Sequence, residues 1–156
     1  MLYSLFRHGE AEYRAGSDAS RKLTESGRMN NQSIAQQLIR KEAKFSHALC
    51  SPYRRAQQTA SGLKSVYPAL RFEECDLLTP DSDLNRLVGF LESYCPDSPD
   101  TSLLLVGHNP LLSRLLNFLL DEGVGIGRSL DTSHLVCLNI AWPGRGGGQL
   151  NYWLQP

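Results

Sequence analysis

Apolar runs of strand length recur between segments of helical periodicity, and few folds accommodate that order. Strand-like runs cover Leu2 to Phe6, Ser46 to Cys50 and Ser102 to Val106, and each is followed along the chain by a helical pattern. The third run is apolar without alternation, as expected of a central strand that is covered on both faces. Because strands separated by crossover helices pair in parallel, the order predicts an α/β fold with a mostly parallel sheet.

The helices are predicted from apolar spacing and from the residues that begin them. One helix is expected to open at Leu23-Thr24-Glu25. The next is expected to have Ser51 as its N-cap and Pro52 as its first residue, a combination favoured at helix starts. A later helix is expected to begin at Asn109 and Pro110. Two helix amino termini with unpaired amide hydrogens are therefore expected where strands end.

The chain closes with two further strand-like runs, His134 to Ile140 and Gln149 to Leu154, joined by a glycine-rich turn. This short connection predicts an antiparallel hairpin at the edge of the sheet. A chain of 156 residues with 41% hydrophobic residues has the size of one compact unit, so residues 1–156 are predicted to form a single domain.

Charge and cysteine content restrict the partners and the compartment. Lys and Arg total 16, as do Asp and Glu, so no global field favours nucleic acid or a membrane surface, and we expect neither as a partner. No apolar run approaches a membrane span, and the segment before Arg7 is too short for a secretory signal. The cysteines form no Cys-x-x-Cys pair and are expected to be reduced, mostly buried thiols: Cys50, Cys75, Cys95 and Cys137. These features predict a soluble cytoplasmic protein.

Polar segments that follow the strand-like runs form the candidate site. Arg7-His8-Gly9 follows the first run, a segment containing Arg55 follows the second, and Gly107-His108 follows the third. Since ligands of open α/β sheets bind at the carboxyl ends of strands, these segments are expected to meet in one pocket. Planar arginine forks suit the oxygens of a phosphoryl group, and two positive charges match its two negative charges.

His8 is the candidate nucleophile, since a neutral ring nitrogen aimed at phosphorus can accept a phosphoryl group. His108, at a helix start, is suited to donate a hydrogen bond to transition-state oxygens. Gly9 and Gly107 are expected to remove side-chain bulk so that the phosphoryl group approaches the backbone closely. The rival interpretation is a metal site on the two histidines. It is disfavoured because no Asp, Glu or Cys adjoins either histidine to offset the arginines, so no metal or other cofactor is expected.

Together these motifs resemble those of the histidine phosphatase superfamily, also called phosphoglycerate mutase-like. The matching motifs are Arg7-His8-Gly9, Ser51-x-x-x-Arg55-Ala56-x-x-Thr59 and Gly107-His108, in order and spacing across nearly the whole chain. The short length and the segment Asp18-x-x-Arg21-x-Leu23-Thr24-x-x-Gly27 resemble the SixA-type phosphohistidine phosphatases. The resemblance implies a three-layer α/β/α sandwich with a mostly parallel sheet and an antiparallel edge.

The resemblance also implies roles for individual residues. His8 is expected to carry the phosphoryl group of a covalent intermediate that water then hydrolyses. Catalytic contacts to that group are expected from three other residues: Arg7, Arg55 and His108. Arg21 and Gly9 are expected to contact the phosphate or the substrate.

One departure from the superfamily pattern concerns the proton donor. Many members carry a glutamate or aspartate for this purpose, but in the corresponding stretch, Asp76 to Asp81, no acid clearly matches. An alkyl phosphate needs such an acid because its alkoxide is a poor leaving group. A phosphohistidine protonated on its other ring nitrogen departs as neutral imidazole. The departure therefore favours phosphoramidate over phosphomonoester hydrolysis, with Asp76, Asp81 and Asp18 left as candidate donors.

The leading hypothesis is a metal-independent hydrolase that removes phosphate from a phosphorylated histidine of a phosphorelay or phosphocarrier protein, a role in signal transduction. We expect a monomer with a shallow site that a folded partner can reach. Two alternatives stay open. One is a small-molecule phosphomonoesterase or mutase of the same superfamily, and the other is a non-catalytic module that binds a phosphoprotein.

Overall fold

A computed structural model describes residues 1–94, 98, 100–121 and 127–156. Its strands are β1 Leu2–Arg7, β2 His47–Cys50, β3 Phe72–Glu74, β4 Ser102–Gly107, β5 Leu135–Ile140 and β6 Gly148–Leu154. Its α-helices are α1 Glu25–Arg40, α2 Arg54–Leu63, α3 Leu84–Tyr94 and α4 Leu111–Leu120. Short 3₁₀ turns cover Asp18–Ser20 and Asp76–Leu78. The strands form one sheet in the order β3-β2-β4-β1-β5-β6.

The sheet is parallel at its centre and antiparallel at one edge, as predicted. β4 pairs in parallel with β1 and with β2, and β2 pairs in parallel with β3. β5 is antiparallel to both β1 and β6. Every residue of β4 is buried, with Leu103 and Leu105 in the core on one face and Leu104 and Val106 in the core on the other. Because neither face of β4 meets solvent, its sequence has no polar alternation.

Among the described residues, two α-helices cover each face of the sheet, which confirms the predicted three-layer sandwich. α1 and α2 pack on one face through residues at helical spacing: Ile34, Ala35, Leu38, Ala56, Ala60 and Leu63. α3 and α4 pack on the other through Leu87, Val88, Leu91, Leu111, Leu112, Leu115, Leu116 and Leu119. Burial of each such leucine stabilises the fold by roughly 1.5–3 kcal/mol. Within the part of the chain that is described, no helix has both the length and the apolar character needed to cross a membrane.

The register of the parallel strands brings the predicted site segments side by side. Arg7 pairs with Gly107 at the carboxyl ends of β1 and β4, and the His8 amide donates to the Gly107 carbonyl at 3.1 Å. The Ser51 amide donates to the Val106 carbonyl at 3.0 Å. The carboxyl ends of β1, β2 and β4 therefore lie side by side, and the chain leaves all three strands on the same side of the sheet.

Helix starts are predicted less accurately than helix positions. α1 opens within the predicted segment, and its N-cap is Thr24, whose side chain accepts from the Gly27 amide. The predicted start of α2 is wrong, because Tyr53 is the N-cap and the first helical residue is Arg54. α4 begins at Leu111, with Pro110 as its N-cap. The Ser51 hydroxyl still accepts from the Tyr53 amide at 3.3 Å, and it also lies 2.8 Å from the ring of His108.

The described cysteines agree with the prediction of reduced, buried thiols. Cys50, Cys75 and Cys137 are free and buried. Burial raises the pKa of the Cys50 thiol to about 12, which makes that thiol unreactive at neutral pH. Cys95 lies outside the described residues.

Candidate active site

His8 lies directly after β1, and both of its ring nitrogens have polar neighbours. Nδ1 lies 2.7 Å from the carbonyl oxygen of Gly9. Nε2 lies 3.1 Å from Nε of Arg55, a nitrogen that always carries a proton. Because the carbonyl can only accept and the arginine N–H can only donate, the ring proton is on Nδ1 and the lone pair is on Nε2. The ring therefore offers Nε2 as the nucleophilic atom.

The surroundings of His8 keep its ring neutral. The side chain is 7% exposed, and burial lowers the pKa of the ring to about 4. The hydrogen bond to Gly9 opposes this decrease, while the positive charges of Arg55, Arg7 and Arg21 add to it. At neutral pH the lone pair on Nε2 is thus present in nearly every molecule.

Arg55 is buried at the start of α2 and is held by several hydrogen bonds. Its Nη1 donates to the Asp18 carbonyl at 2.6 Å, and its Nη2 forms an ion pair with the Asp18 carboxylate at 3.0 Å. Its guanidinium also lies 5.2 Å from the ring centre of Tyr53. The neighbouring Arg54 is exposed, because consecutive helical residues point about 100° apart around the axis.

Asp18 connects Arg21 to the same cluster. Nη1 of Arg21 lies 3.0 Å from Oδ1 of Asp18, and Nε of Arg21 donates to the Glu12 carbonyl at 2.6 Å. Burial by itself would raise the pKa of the Asp18 carboxyl, but hydrogen bonds and charges from Arg21 and Arg55 lower it below its usual range. Asp18 is therefore ionised at neutral pH and has no proton to donate, which argues against it as the missing acid.

His108 directly follows β4 and lies beside His8, with ring centres 4.8 Å apart. Its Nε2 lies 2.8 Å from Oγ of Ser51. Its Nδ1 is buried and has no hydrogen-bond partner among the described residues. Burial is the main cause that lowers the pKa of His108 to about 2, and repulsion by a protonated His8 and by the charge of Arg55 adds to it, so this ring is neutral as well at neutral pH.

Arg7 ends β1 and lies within electrostatic reach of His8 and Arg55. Its Nη1 donates to the Leu130 carbonyl at 2.8 Å. Its Nε is buried without a partner in the described part of the chain. Burial lowers the pKa of the Arg7 guanidinium, the negative charge of Asp131 raises it, and the positive charge of Arg55 lowers it. An arginine nevertheless stays protonated at neutral pH. The structure thus brings together all four predicted catalytic residues.

A buried polar network holds the loop that carries His8, and pattern reasoning missed it. Oγ1 of Thr59 accepts from the Gly9 amide and from Nδ2 of Asn31, each at 3.1 Å. Oδ1 of Asn31 accepts from the Ser133 hydroxyl at 2.9 Å, and the Ser133 amide donates to the His8 carbonyl at 3.2 Å. The backbone on both sides of His8 is therefore tied to other elements.

Some members of this network carried a sequence signal. Asn31 is a polar residue in the buried stripe of α1, between Gly27 and Ile34, and such an interruption indicates a buried hydrogen-bonding role. Thr59 belongs to the motif that begins at Ser51, and its hydroxyl binds the loop after β1. Ser133 had no signal, and its φ of 61° lies in the left-handed region that serine rarely adopts.

The structure gives a reason for glycine at position 9 that differs from the predicted one, which was close approach of the phosphoryl group. A Cβ at this position would lie 2.7 Å from the Gly27 carbonyl oxygen and 2.8 Å from Nδ2 of Asn31, so glycine allows the loop to contact α1. Its amide and carbonyl are bonded within the protein, to Thr59 and His8. These contacts position His8, and contact between Gly9 and substrate stays a prediction.

Comparison with known proteins places the chain in a family. A family model for the histidine phosphatase superfamily (branch 1) matches residues 3–79. Phosphohistidine phosphatase SixA of Escherichia coli (strain K12) is 30% identical over 120 residues, which cover 74% of this chain and 72% of that protein. The chain belongs to the histidine phosphatase superfamily.

Within the superfamily, the likeness of this histidine phosphatase is to the SixA type. This chain superposes on the structure of the protein histidine phosphatase SixA complexed with tungstate with a TM-score of 0.86 and 26% sequence identity. The match covers 100% of this chain and 97% of the SixA chain. An uncharacterised protein of Picosynechococcus sp. is 36% identical over 107 residues, 67% of this chain, and the match spans 64% of that relative's length. The predicted SixA-type membership and phosphoglycerate mutase-like fold are confirmed.

Proposed function

We propose that this histidine phosphatase removes phosphate from a phosphorylated histidine of a phosphorelay or phosphocarrier protein, through a covalent intermediate on His8. The observation that carries the proposal is the state of the His8 ring, with Nδ1–H on the Gly9 carbonyl and the Nε2 lone pair beside Arg55. A neutral nitrogen nucleophile beside cationic donors suits transfer of a phosphoryl dianion. The names of the SixA relative and the SixA structure support phosphohistidine as the substrate class.

In the first step, Nε2 of His8 forms a bond to phosphorus as the P–N bond of the substrate phosphohistidine breaks. The substrate ring, protonated on its other nitrogen, leaves as neutral imidazole, so no separate acid is required. The His8 ring becomes positively charged, and its Nδ1–H bond to the Gly9 carbonyl strengthens because the donor is now charged. The Arg55 Nε–H, which donates to Nε2 of His8 before the reaction, donates to a phosphoryl oxygen once the Nε2 lone pair has formed the bond to phosphorus.

In the second step, water forms a P–O bond as the P–Nε2 bond breaks. Nε2 recovers its lone pair, and the product leaves as dihydrogen phosphate, which can release a proton to solvent. In both steps Arg7, Arg55 and His108 donate to the phosphoryl oxygens, which stabilises the charge that a metal ion would otherwise offset. The proposed mechanism is therefore metal-independent.

The small-ester alternative has less support. An alkyl phosphate needs a proton donor, and the carboxylate bonded to the site arginines, Asp18, is ionised. Specificity constants for a panel of phosphohistidine proteins should accordingly exceed those for simple phosphomonoesters assayed in parallel. Equal or higher values for the esters would favour the alternative.

Rapid quenching during turnover tests the intermediate. Wild type mixed with a phosphohistidine protein should carry acid-labile, alkali-stable phosphate, whereas His8→Ala should carry none and should lose turnover by more than about 10³-fold. His47→Ala is the matched control, because His47 begins β2 at the opposite end of the sheet, and it should trap phosphate like wild type. Turnover without trapped phosphate would contradict the covalent route. Phosphate binding without turnover would indicate the non-catalytic module.

A further inference from the structure

His108 keeps one ring nitrogen unpaired although its side chain is only 1% exposed. Nε2 is bonded to Ser51, but the buried Nδ1 finds no hydrogen-bond partner in the ranges that the structure describes. A buried polar atom without a partner costs about 1–3 kcal/mol. In native proteins such atoms require an explanation, and a catalytic role is one of the recognised explanations.

Ser51 is held firmly at the other end of this contact. Its amide donates to the Val106 carbonyl at 3.0 Å, and its carbonyl accepts from Nε2 of Gln57 at 2.8 Å and from Sγ of Cys50 at 3.3 Å. The residue is 0% exposed. Because backbone and surroundings are fixed, the hydroxyl cannot turn to water, and its partners are those that the packed structure provides.

The contacts of the Ser51 hydroxyl indicate the direction of its bond to His108. The Tyr53 amide donates to Oγ at 3.3 Å and occupies one lone pair. The hydroxyl proton then needs an acceptor, and Nε2 of His108, at 2.8 Å, is the acceptor that the described contacts supply. A ring that accepts at Nε2 and is neutral carries its proton on Nδ1. The opposite tautomer would leave the hydroxyl proton without an acceptor and would present a lone pair, rather than a donor, to an anion.

We infer that Ser51 is a positioning residue that sets the tautomer of His108. Its hydroxyl donates to Nε2 and holds the proton on Nδ1, so that Nδ1–H donates to a phosphoryl oxygen during transfer to and from His8. With the two ring centres 4.8 Å apart, a phosphoryl group on His8 lies within reach of that donor. This inference rests on the proposed function, although Ser51 itself does not contact the reacting atoms.

The tautomer can be measured without any turnover. Long-range ¹⁵N–¹H correlation spectra of ¹⁵N-labelled wild type at neutral pH, with His108→Gln to assign the signals, should show a protonated Nδ1 and an unprotonated Nε2. Inorganic phosphate should then shift the Nδ1 resonance as that N–H gains an acceptor. A wild-type ring that carries its proton on Nε2 would overturn the inference, whatever the activity of the enzyme.

Variants connect the tautomer to catalysis. Ser51→Ala should let the His108 ring exchange between tautomers and should lower kcat for a phosphohistidine protein by roughly 100-fold, the scale of one lost transition-state donor. Ser51→Thr retains the hydroxyl and should retain the Nδ1–H tautomer and most of kcat. An alanine variant with an unchanged tautomer and kcat would refute the inference. If that variant does not fold, the wild-type spectrum still decides.

Ser102→Ala is the matched control. Ser102 is 8% exposed, and its hydroxyl donates to the Lys44 carbonyl at 2.6 Å at the amino end of β4, away from His108. Its removal should leave the His108 tautomer and kcat unchanged. An equal loss of kcat in this control would assign the Ser51→Ala effect to general destabilisation and would refute the inference. Failure of the proposed function is seen separately, as the lack of trapped phosphate on His8.

Discussion

The chemistry of this site depends on the positions of single protons. The Gly9 carbonyl fixes the ring proton of His8 on Nδ1, and the Arg55 N–H lies against Nε2. Neither contact can form correctly unless the loop after β1 is held in place. At the residue scale, therefore, the atoms that position the Gly9 backbone matter as much as the side chains that are proposed to bind the phosphoryl group.

Thr59→Val tests that positioning, because it replaces the hydroxyl by a methyl group of similar shape. The Gly9 amide and the Asn31 side chain both lose an acceptor, and buried donors without partners are costly. We expect the free energy of unfolding to fall by about 2 kcal/mol or more in urea titrations. Thr59→Ser keeps the acceptor and should lose no more than about 1 kcal/mol. Equal stability of the two variants would show that the hydroxyl is unimportant.

At the scale of elements, the loop that carries His8 depends on close contact between the residues after β1 and the start of α1. A Cβ on Gly27 would collide with the Glu10 carbonyl oxygen and would lie 2.8 Å from the Glu10 amide nitrogen. Gly9 makes the reciprocal contact, since a Cβ there would meet the Gly27 carbonyl. The two glycines thus set the distance between strand, loop and helix.

Gly27→Ala should force the loop and α1 apart. We expect a loss of about 1–3 kcal/mol in stability from overpacking and a decrease in turnover of about 10-fold or more from displacement of His8, the proposed nucleophile. Gly89→Ala in α3 is the control, because a Cβ there meets nothing within 4 Å. This second variant should gain about 0.5–1 kcal/mol and keep its turnover. Thermal unfolding and steady-state kinetics on both variants give the comparison, and unchanged turnover in Gly27→Ala would contradict the argument.

At the scale of the whole molecule, folding buries two histidines that titrate freely in the unfolded chain. The pKa of His8 is lowered to about 4 and that of His108 to about 2, chiefly by burial. Below a pH of about 6.5 the unfolded chain takes up protons that the folded protein does not. Their contribution to stability is therefore fully present above that pH and decreases as the pH falls toward the folded values.

Urea unfolding between pH 7 and pH 5.5 measures this linkage. For two such histidines the free energy of unfolding should fall by roughly 2–3 kcal/mol across the interval. His8→Asn removes one titrating ring and should reduce the decrease by about half. A wild-type stability that does not change across this range would mean that both rings titrate normally in the folded protein.

Sequence patterns predict some parts of this molecule better than others. The strand Ser102–Gly107 and the motif around His8 were recognised because apolar periodicity and motif spacing are local properties. The hydrogen bond from Ser133 to Asn31 could not be recognised in this way, because it joins residues 102 positions apart. The helix that follows β2 begins at Arg54, later than the serine and proline signal predicts, and that signal could not show that the Ser51 hydroxyl also has a tertiary partner, His108.

By itself the sequence determined the layered α/β architecture, the antiparallel edge and the identities of the arginines and histidines that meet at the sheet, since neighbouring residues carry that information. Only the tertiary structure decided which nitrogen of His8 holds the proton, which arginines pair with Asp18 and what Ser51 contacts. Those outcomes depend on distances between atoms of different elements. Such distances exist only after the helices have packed against the sheet.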